Sequence, residues 1–222
     1  TNQVGAGIPV VSNVVRALIV EPRITFGKSI LSLPTPLDAG GVVQYRISYV
    51  NGTGANVSTA LDVHITDPLP AQLAVNLPIT VILAGGAAGV ANSSSVNNVD
   101  ITIASVPAGG SVTVDYTATI QSSVTPGQII NNTSSSNWTS LSGPITGERT
   151  GVDGPTGSPN NYAATSGRSF TSDMPTVVKQ LTATSALHTT GNNVAIGEEV
   201  TYDILLTMPE GTTPSDTIID DL

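Results

Sequence analysis

The feature that most constrains the fold is a lysine in the middle of an apolar strand pattern. In residues 24–30, apolar residues alternate with small or polar ones at the period of two that is typical of a β-strand. The apolar face carries Ile24, Phe26 and Ile30, and Lys28 lies between them. Burying an ammonium group is costly unless it is paired or neutralised. The pattern therefore predicts that Lys28 has a partner that removes its charge.

The composition favours strands and turns over helices. The 222 residues include 22 glycines and 15 prolines, and only 10% of them are charged. Val, Ile, Thr, Ser and Asn dominate the remainder, a mixture typical of strands and the turns between them. About seven short alternating segments, with Gly- and Pro-rich breaks and no helical period, predict an antiparallel β-sandwich of immunoglobulin type. Residues 84–98 and 142–172 have few large apolar side chains and are predicted to be loops.

Charge and cysteine content exclude several classes of function. The formal net charge of −9 argues against a nucleic-acid partner and against an anionic membrane surface. The chain has no cysteine, so neither disulfides nor thiolate chemistry is available. No run of about 18 apolar residues could span a bilayer, so no membrane insertion is expected in this segment. No cofactor motif and no nucleophile motif are visible, so we expect neither a cofactor nor an enzyme.

The sequence contains an internal repeat. Three pairs of residues recur with similar flanking sequences and at nearly constant separation: Lys28 and Lys179, Tyr45 and Tyr202, Asp67 and Asp220. The repeat predicts a complete sandwich over residues 22–175, followed by the first strands of another repeat over residues 176–222. Residues 1–21 are predicted to be closing strands of a preceding repeat. Because half a sandwich cannot bury its sheet face, we expect the chain to be a window from a longer tandem array.

Two further polar residues share an apolar face with their strand neighbours. Asp67 follows Leu61, Val63 and Ile65 on alternating positions, and Asn132 lies two residues after Ile130. An amine, an acid and a carboxamide are thus predicted to face one interior. The second repeat keeps the lysine and the acid as Lys179 and Asp220, and its asparagine is expected beyond the end of the chain.

These three side chains can react to form an amide cross-link. A desolvated lysine loses its proton readily and becomes a nucleophile, whereas a buried carboxylic acid stays protonated and can donate to a carbonyl oxygen. Attack of Lys28 on Asn132, with Asp67 as the proton shuttle, would release ammonia and leave an uncharged amide. Two simpler interpretations stay open: a lysine whose amine reaches water, and an ion pair between Lys28 and Asp67.

Several segments resemble a known family: the repeat domains of bacterial surface and fimbrial proteins that form internal isopeptide bonds, grouped with the DUF11-type tandem repeats of large adhesins. The matching segments are residues 21–29, 43–47, 66–70 and 126–133, with 196–198 and 209–213 in the second repeat. The resemblance covers nearly the whole chain. It implies a bond between the first-strand lysine, Lys28, and an asparagine of the last strand, with Asp67 as the acid. Strand parity favours Asn132, and a bulge would put Asn131 in its place.

The expected function is therefore structural, in an extracellular fibre, stalk or adhesin at a bacterial cell surface. The expected partners are neighbouring repeats of the same chain and identical subunits of a fibre. One alternative is a carbohydrate- or ligand-binding module that uses the two predicted loops, where Tyr162 and Phe170 are the aromatic residues on offer. Another is a filament subunit completed by strands from neighbours. Glu148, Asp153, Asn160 and Asn161 offer the hard oxygen ligands that calcium prefers. They lack the EF-hand spacing, so an ordinary solvated loop is the favoured interpretation and no metal is expected.

Overall fold

The computed structural model describes residues 13–150, 162–189, 191–215 and 217–220. The described residues form β-strands and no helix, and the paired strands of every sheet are antiparallel. In chain order they are β1 (Ile24–Ser32), β2 (Val42–Asn51), β3 (Ala60–Pro68), β4 (Leu73–Ala84), β5 (Ala88–Asn92), β6 (Asn98–Val106), β7 (Ser111–Ile120), β8 (Ile129–Thr139), β9 (Ala163–Thr171), β10 (Thr176–Thr184) and β11 (Val200–Thr207).

Nine of these strands form a sandwich of two sheets. One sheet has the order β1-β2-β7-β4, and the other has the order β5-β6-β3-β8-β9. Their inward side chains form one continuous hydrophobic core. The predicted all-β, immunoglobulin-like antiparallel sandwich is confirmed.

The central strands β2 and β7 follow the predicted alternation closely. Every second side chain of each strand is buried, as at Val43, Ile47, Val112 and Val114. Each fully buried aliphatic side chain contributes about 1.5–3 kcal/mol of transfer free energy relative to an exposed one. A shift of one residue would turn all of these side chains to solvent, so the core fixes the register.

Strand β1 lies at the edge of the four-stranded sheet and pairs with β2. The register places Lys28 opposite Ile47 and Phe26 opposite Tyr49. The rings of Phe26 and Tyr49 meet edge to face, with their centroids 6.4 Å apart. Lys28 is therefore held on the inward face of a strand whose backbone is paired on one side only.

Two edge strands lie in segments that the sequence predicts to be loops, so the loop prediction is wrong for those residues. Strand β9 (Ala163–Thr171) pairs with β8, and β5 (Ala88–Asn92) pairs with β6. Every residue of β5 is exposed, and β9 contributes one buried side chain, Phe170. Strands held mainly by backbone pairing at a sheet edge need little apolar patterning, so the sequence carries no strong signal for them.

The residues before β1 pair little with the sandwich. Residues 13–20 form no strand, and large apolar side chains among them, such as Val14, Leu18 and Ile19, are exposed. Glu21 forms an isolated bridge with Val57. The other part of this segment, residues 1–12, lies outside the described residues. That residues 1–21 close a preceding repeat stays a prediction.

Strands β10 and β11 form a separate two-stranded ribbon after the sandwich. The loop that follows β11 contacts one end of the sandwich through backbone hydrogen bonds. Ala39 N donates to Glu210 O at 3.0 Å, and Thr212 N donates to Val124 O at 2.8 Å. The buried carboxylate of Asp38 accepts a further bond from Glu210 N at 2.9 Å. The described part of the chain contains no helix that could span a membrane.

Candidate functional site

Four polar side chains from four different strands meet in the core between the two sheets. Lys28 on β1 and Tyr116 on β7 come from one sheet, whereas Asp67 on β3 and Asn132 on β8 come from the other. All four residues are buried, with at most 3% of their surface exposed. The cluster is therefore enclosed by the closed sandwich and cannot exist before both sheets have packed.

Lys28 and Asp67 form a fully buried ion pair. The Lys28 Nζ lies 2.5 Å from Asp67 Oδ2, and neither side chain is exposed to solvent. The backbone N–H of Lys28 donates to Ser166 Oγ at 3.0 Å, which ties β1 to β9 of the opposite sheet. The alternative in which the Lys28 amine reaches water is contradicted by this burial.

The hydrogen-bond chain continues from Asp67 through Tyr116 to Asn132. The Tyr116 hydroxyl donates to Asp67 Oδ2 in a short contact, and Asn132 Nδ2 donates to the Tyr116 hydroxyl oxygen at 3.1 Å. Two oxygen atoms are buried without a hydrogen-bond partner: the second carboxylate oxygen of Asp67, Oδ1, and the amide oxygen of Asn132, Oδ1. Unpaired buried acceptors are costly, so this arrangement is not one that favours stability alone.

Two tyrosine rings form a wall of the site. Tyr45 and Tyr116 stack with their ring centroids 5.3 Å apart. The Lys28 Nζ lies 4.8 Å from the Tyr45 centroid and 5.9 Å from that of Tyr116. These faces attract the ammonium form of Lys28 and exclude water from it.

Burial dominates the electrostatics of the cluster. It lowers the pKa of Lys28 to about 8, although the charge of Asp67 and its hydrogen bond to the amine act in the opposite direction. Burial also raises the pKa of Tyr116 and that of Tyr45, so both hydroxyls keep their protons at neutral pH. The site therefore holds an amine that loses its proton far more readily than a lysine in water does.

The structure brings together the three residues that the sequence proposes for the first repeat. Lys28, Asp67 and Asn132 share one hydrogen-bonded cluster, with Tyr116 between the last two. The neighbouring Asn131 is exposed on the other face of β8. No bulge exchanges the two asparagines, because β8 pairs with β9 in unbroken register at these positions.

Sequence reasoning missed Tyr45 and Tyr116. Both lie on strictly alternating apolar faces, where a tyrosine is a common core residue. The available signal was that Tyr116 is the one hydroxyl-bearing residue on the inward face of β7, among Val112, Val114, Ala118 and Ile120. Buried hydroxyls are usually hydrogen-bonded, and for Tyr116 the available partners in the core are other polar residues.

A similar but more exposed arrangement surrounds Lys179 on β10. Lys179 Nζ lies 2.6 Å from Asp220 Oδ1 and 4.4 Å from the centroid of the Tyr202 ring. Lys179 is paired opposite Ile204 in the β10–β11 ribbon, as Lys28 is paired opposite Ile47. The side chains are 30% and 38% exposed for the lysine and the aspartate, so here the ion pair faces solvent.

The residues proposed for ligand or calcium binding form no such site in the part of the chain that the structure describes. Tyr162 and Phe170, the aromatic residues proposed for ligand binding, are buried in the core, so they offer no exposed platform. Among the described residues, no cluster of three or more His, Asp or Glu side chains could hold a metal. Glu148 caps its own loop by accepting a bond from Ile145 N at 2.9 Å, and Asp153, Asn160 and Asn161 lie outside the described residues.

Comparison with known proteins gives a fold and no family. No protein-family model matches the sequence, and no curated protein matches it. Among solved structures, the chain is similar to a variant of BcpA, the major pilin subunit of Bacillus cereus. The TM-score is 0.51 at 14% identity, and the match covers 85% of this chain and 57% of BcpA. At this identity, the similarity shows a shared fold.

Two weaker matches are also to pilins. The full-length major pilin SpaD from Corynebacterium diphtheriae matches with a TM-score of 0.47 at 11% identity, over 70% of this chain and 36% of SpaD. The pilus backbone protein RrgB from Streptococcus pneumoniae matches with a TM-score of 0.41 at 18% identity, over 53% of this chain and 31% of RrgB. The matched region spans less than two thirds of each of these pilins.

Proposed function

We propose that the chain is a structural segment of an extracellular fibre, stalk or adhesin, and that an amide bond between Lys28 and Asn132 stiffens its sandwich. The observation that carries the proposal is the buried chain of contacts from Lys28 through Asp67 and Tyr116 to Asn132. The fold that this chain shares with a major pilin subunit is consistent with a role in a fibre of like subunits. The segment reacts once with itself and turns over no substrate.

The proposed reaction balances within the cluster. A proton moves from the Lys28 ammonium to the Asp67 carboxylate across their 2.5 Å contact. The neutral Nζ attacks Cγ of Asn132, the Nζ–Cγ bond forms, and the Cγ–Nδ2 bond breaks. One Nζ proton is transferred to the departing nitrogen, which leaves as ammonia. The products are an amide, ammonia and protonated Asp67, so no charge stays buried.

The same chemistry explains why the ion pair is tolerated in the core. A buried ion pair rarely stabilises a fold more than apolar residues of similar size, because desolvation offsets the attraction between the charges. Here the cluster also leaves Asp67 Oδ1 and Asn132 Oδ1 without partners. A reaction that removes both charges converts this unfavourable arrangement into a neutral one. A simple ion pair between Lys28 and Asp67 is the alternative, and the intact mass of the protein distinguishes it from the bond.

We further propose that the chain is organised as tandem repeats, with residues 22–175 as one complete unit and residues 176–222 as the beginning of the next. The β1–β2 and β10–β11 pairs support this, because their registers match residue for residue. Both contain a bulge two residues after the lysine: between Ile30 and Ser32, and between Leu181 and Ala183. The exposed apolar side chains on the Lys179 face of β10 and β11, such as Val177 and Ile204, fit a face that a second sheet covers in a complete repeat.

The intact mass of the full chain tests the bond. We expect the purified protein to be lighter than its sequence by one ammonia, and digestion to yield a branched peptide that joins Lys28 to Asn132. The variants Lys28→Met and Asn132→Ala should have the full sequence mass. Asn131→Ala is the matched control, because it removes the adjacent, exposed asparagine, and it should keep the deficit. An unmodified mass in the wild-type protein would refute the bond and leave a buried ion pair.

A further inference from the structure

The Tyr116 hydroxyl contacts the nitrogen that has to leave. In the proposed reaction, Asn132 Nδ2 must accept a proton before the Cγ–Nδ2 bond can break, since an amide anion is a very poor leaving group. Among the hydrogen bonds of the described residues, Nδ2 has the Tyr116 oxygen as its partner, at 3.1 Å. Asp67, which takes the proton from Lys28, bonds to the other side of that same hydroxyl. The tyrosine thus lies between the proton donor and the leaving group.

We propose that Tyr116 is a catalytic proton relay for the Lys28–Asn132 bond, an inference that rests on the proposed function. When Nζ attacks, Nδ2 becomes tetrahedral and gains a lone pair directed at Tyr116. The phenol then donates its proton to Nδ2 and takes one from protonated Asp67, which in turn accepts a proton from Nζ. Three protons move one place each, Tyr116 ends as a phenol, and ammonia leaves.

The surroundings of Tyr116 suit this role. A phenol can donate and accept at the same time, which neither a lysine ammonium nor an ionised carboxylate can do. Burial raises the pKa of Tyr116, so the hydroxyl proton is present throughout the neutral range. Stacking on Tyr45, with the ring centroids 5.3 Å apart, fixes where the hydroxyl lies. The relay therefore needs no rearrangement of the ring, only rotation of one O–H bond.

The test compares the rate of ammonia loss in three full-length chains. Each is made by cell-free translation and quenched in denaturant at intervals, and the bonded fraction is read from the intact mass. Tyr116→Phe keeps the ring and its stacking and removes only the hydroxyl. Tyr49→Phe is the matched control: Tyr49 is also fully buried on the four-stranded sheet, and its hydroxyl has no hydrogen-bond partner.

We expect Tyr116→Phe to slow ammonia loss roughly 10²–10⁴-fold, the usual contribution of a positioned proton donor. Tyr49→Phe should react at the wild-type rate. Equal rates for the wild type and Tyr116→Phe would overturn the relay alone. Absence of ammonia loss from the wild type would overturn the bond and the relay together, so the two failures are distinguishable.

A second measurement is used if the Tyr116→Phe chain fails to fold, as judged by its near-ultraviolet circular dichroism. A ring-fluorinated tyrosine at position 116 keeps both hydrogen bonds and makes the hydroxyl more acidic. A relay predicts a changed rate and a shifted pH profile for this chain. A purely structural tyrosine predicts the wild-type profile, and that result would contradict the proposal.

Discussion

At the scale of single residues, the properties of Lys28 depend on its burial and on the neighbouring carboxylate of Asp67. The amine is 2.5 Å from Asp67, and its exposed surface is 1% of the maximum. Without the carboxylate, the same burial would leave an uncompensated charge, which costs several kcal/mol in real proteins. With it, the Lys28 amine and the Asp67 carboxylate lie within hydrogen-bond distance at a site closed to solvent. Position alone thus turns an ordinary surface residue into a candidate nucleophile.

The pH dependence of bond formation follows from the protonation of the Lys28–Asp67 pair. Burial lowers the pKa of Lys28 to about 8. The reactive arrangement, a neutral amine beside a protonated acid, holds the same number of protons as the ion pair, so the ratio of these two forms does not depend on pH. Above about pH 8 the pair loses its proton, and the neutral amine no longer faces a protonated acid. We expect the rate of ammonia loss to be flat between neutral pH and about pH 8 and to fall beyond it.

Cell-free chains refolded into buffers across this range would give the profile by intact mass. A rate that rises through pH 8 would mean that the neutral amine alone is limiting, and it would contradict the role given to Asp67. The Tyr49→Phe chain serves as a control for pH effects on folding, since its substituted hydroxyl has no partner in the core.

The sequence predicted part of this cluster and missed part of it, for identifiable reasons. A period of two assigns a face to every residue of a strand, and that sufficed to place Lys28, Asp67 and Asn132 in one interior. It also preferred Asn132 to Asn131, and the structure buries the former and exposes the latter. The same rule is silent about Tyr116, because an inward tyrosine satisfies the apolar pattern whether or not its hydroxyl has a chemical role.

At the scale of elements, the two lysine-bearing strands show that local structure and chemistry are separable. Strands β1 and β10 have the same partner register and the same bulge. Yet Lys28 is fully buried, whereas the Lys179 side chain is 30% exposed. The difference comes from the second sheet, which covers β1 and has no counterpart over β10 among the described residues. An exposed ion pair of this kind contributes at most about 1 kcal/mol.

Amine labelling can read this contrast directly, because Lys28 and Lys179 are the only lysines in the sequence. In the native protein, an acylating reagent should modify Lys179 and leave Lys28 untouched. After unfolding in denaturant, wild-type Lys28 should still resist, because its nitrogen is already part of an amide, whereas Lys28 of the Asn132→Ala variant should react. Peptide mapping separates both sites from the α-amino group. Labelling of Lys28 in unfolded wild-type protein would be incompatible with the bond.

The strands that sequence reasoning missed are edge strands. In β9, small and polar side chains predominate because β8 supplies its backbone partner on one side and only Phe170 is buried deeply. In β5 no side chain is buried at all. Such strands are specified by tertiary pairing, which a single sequence does not display. The central strands, whose alternate residues must all enter the core, were predicted without difficulty.

At the scale of the whole molecule, an amide between Lys28 and Asn132 would close a covalent loop from β1 to β8. A cross-link of this kind reduces the entropy of the unfolded chain, and for a loop of about 100 residues the chain-entropy estimate is close to 4.7 kcal/mol. We therefore expect wild-type protein to be more stable than Asn132→Ala by roughly 4–5 kcal/mol, less any strain in the native state. Equilibrium unfolding in guanidinium chloride measures this difference.

The same experiment should place Asn131→Ala close to the wild type, because that side chain is exposed and a surface substitution typically changes stability by less than about 0.5 kcal/mol. Equal midpoints for the wild type and Asn132→Ala would be inconsistent with a covalent closure of this length.

The four side chains of the cluster come from four strands and from both sheets, so they meet only in a correctly closed sandwich. A bond made there would be a permanent covalent record of folding. It would persist when the protein later unfolds, and a chain that never formed the closed sandwich would lack it. The bonded fraction of a preparation would then count the molecules that have reached the native arrangement at least once, and a mass spectrum taken in denaturant would reveal the folding history of a protein that is no longer folded.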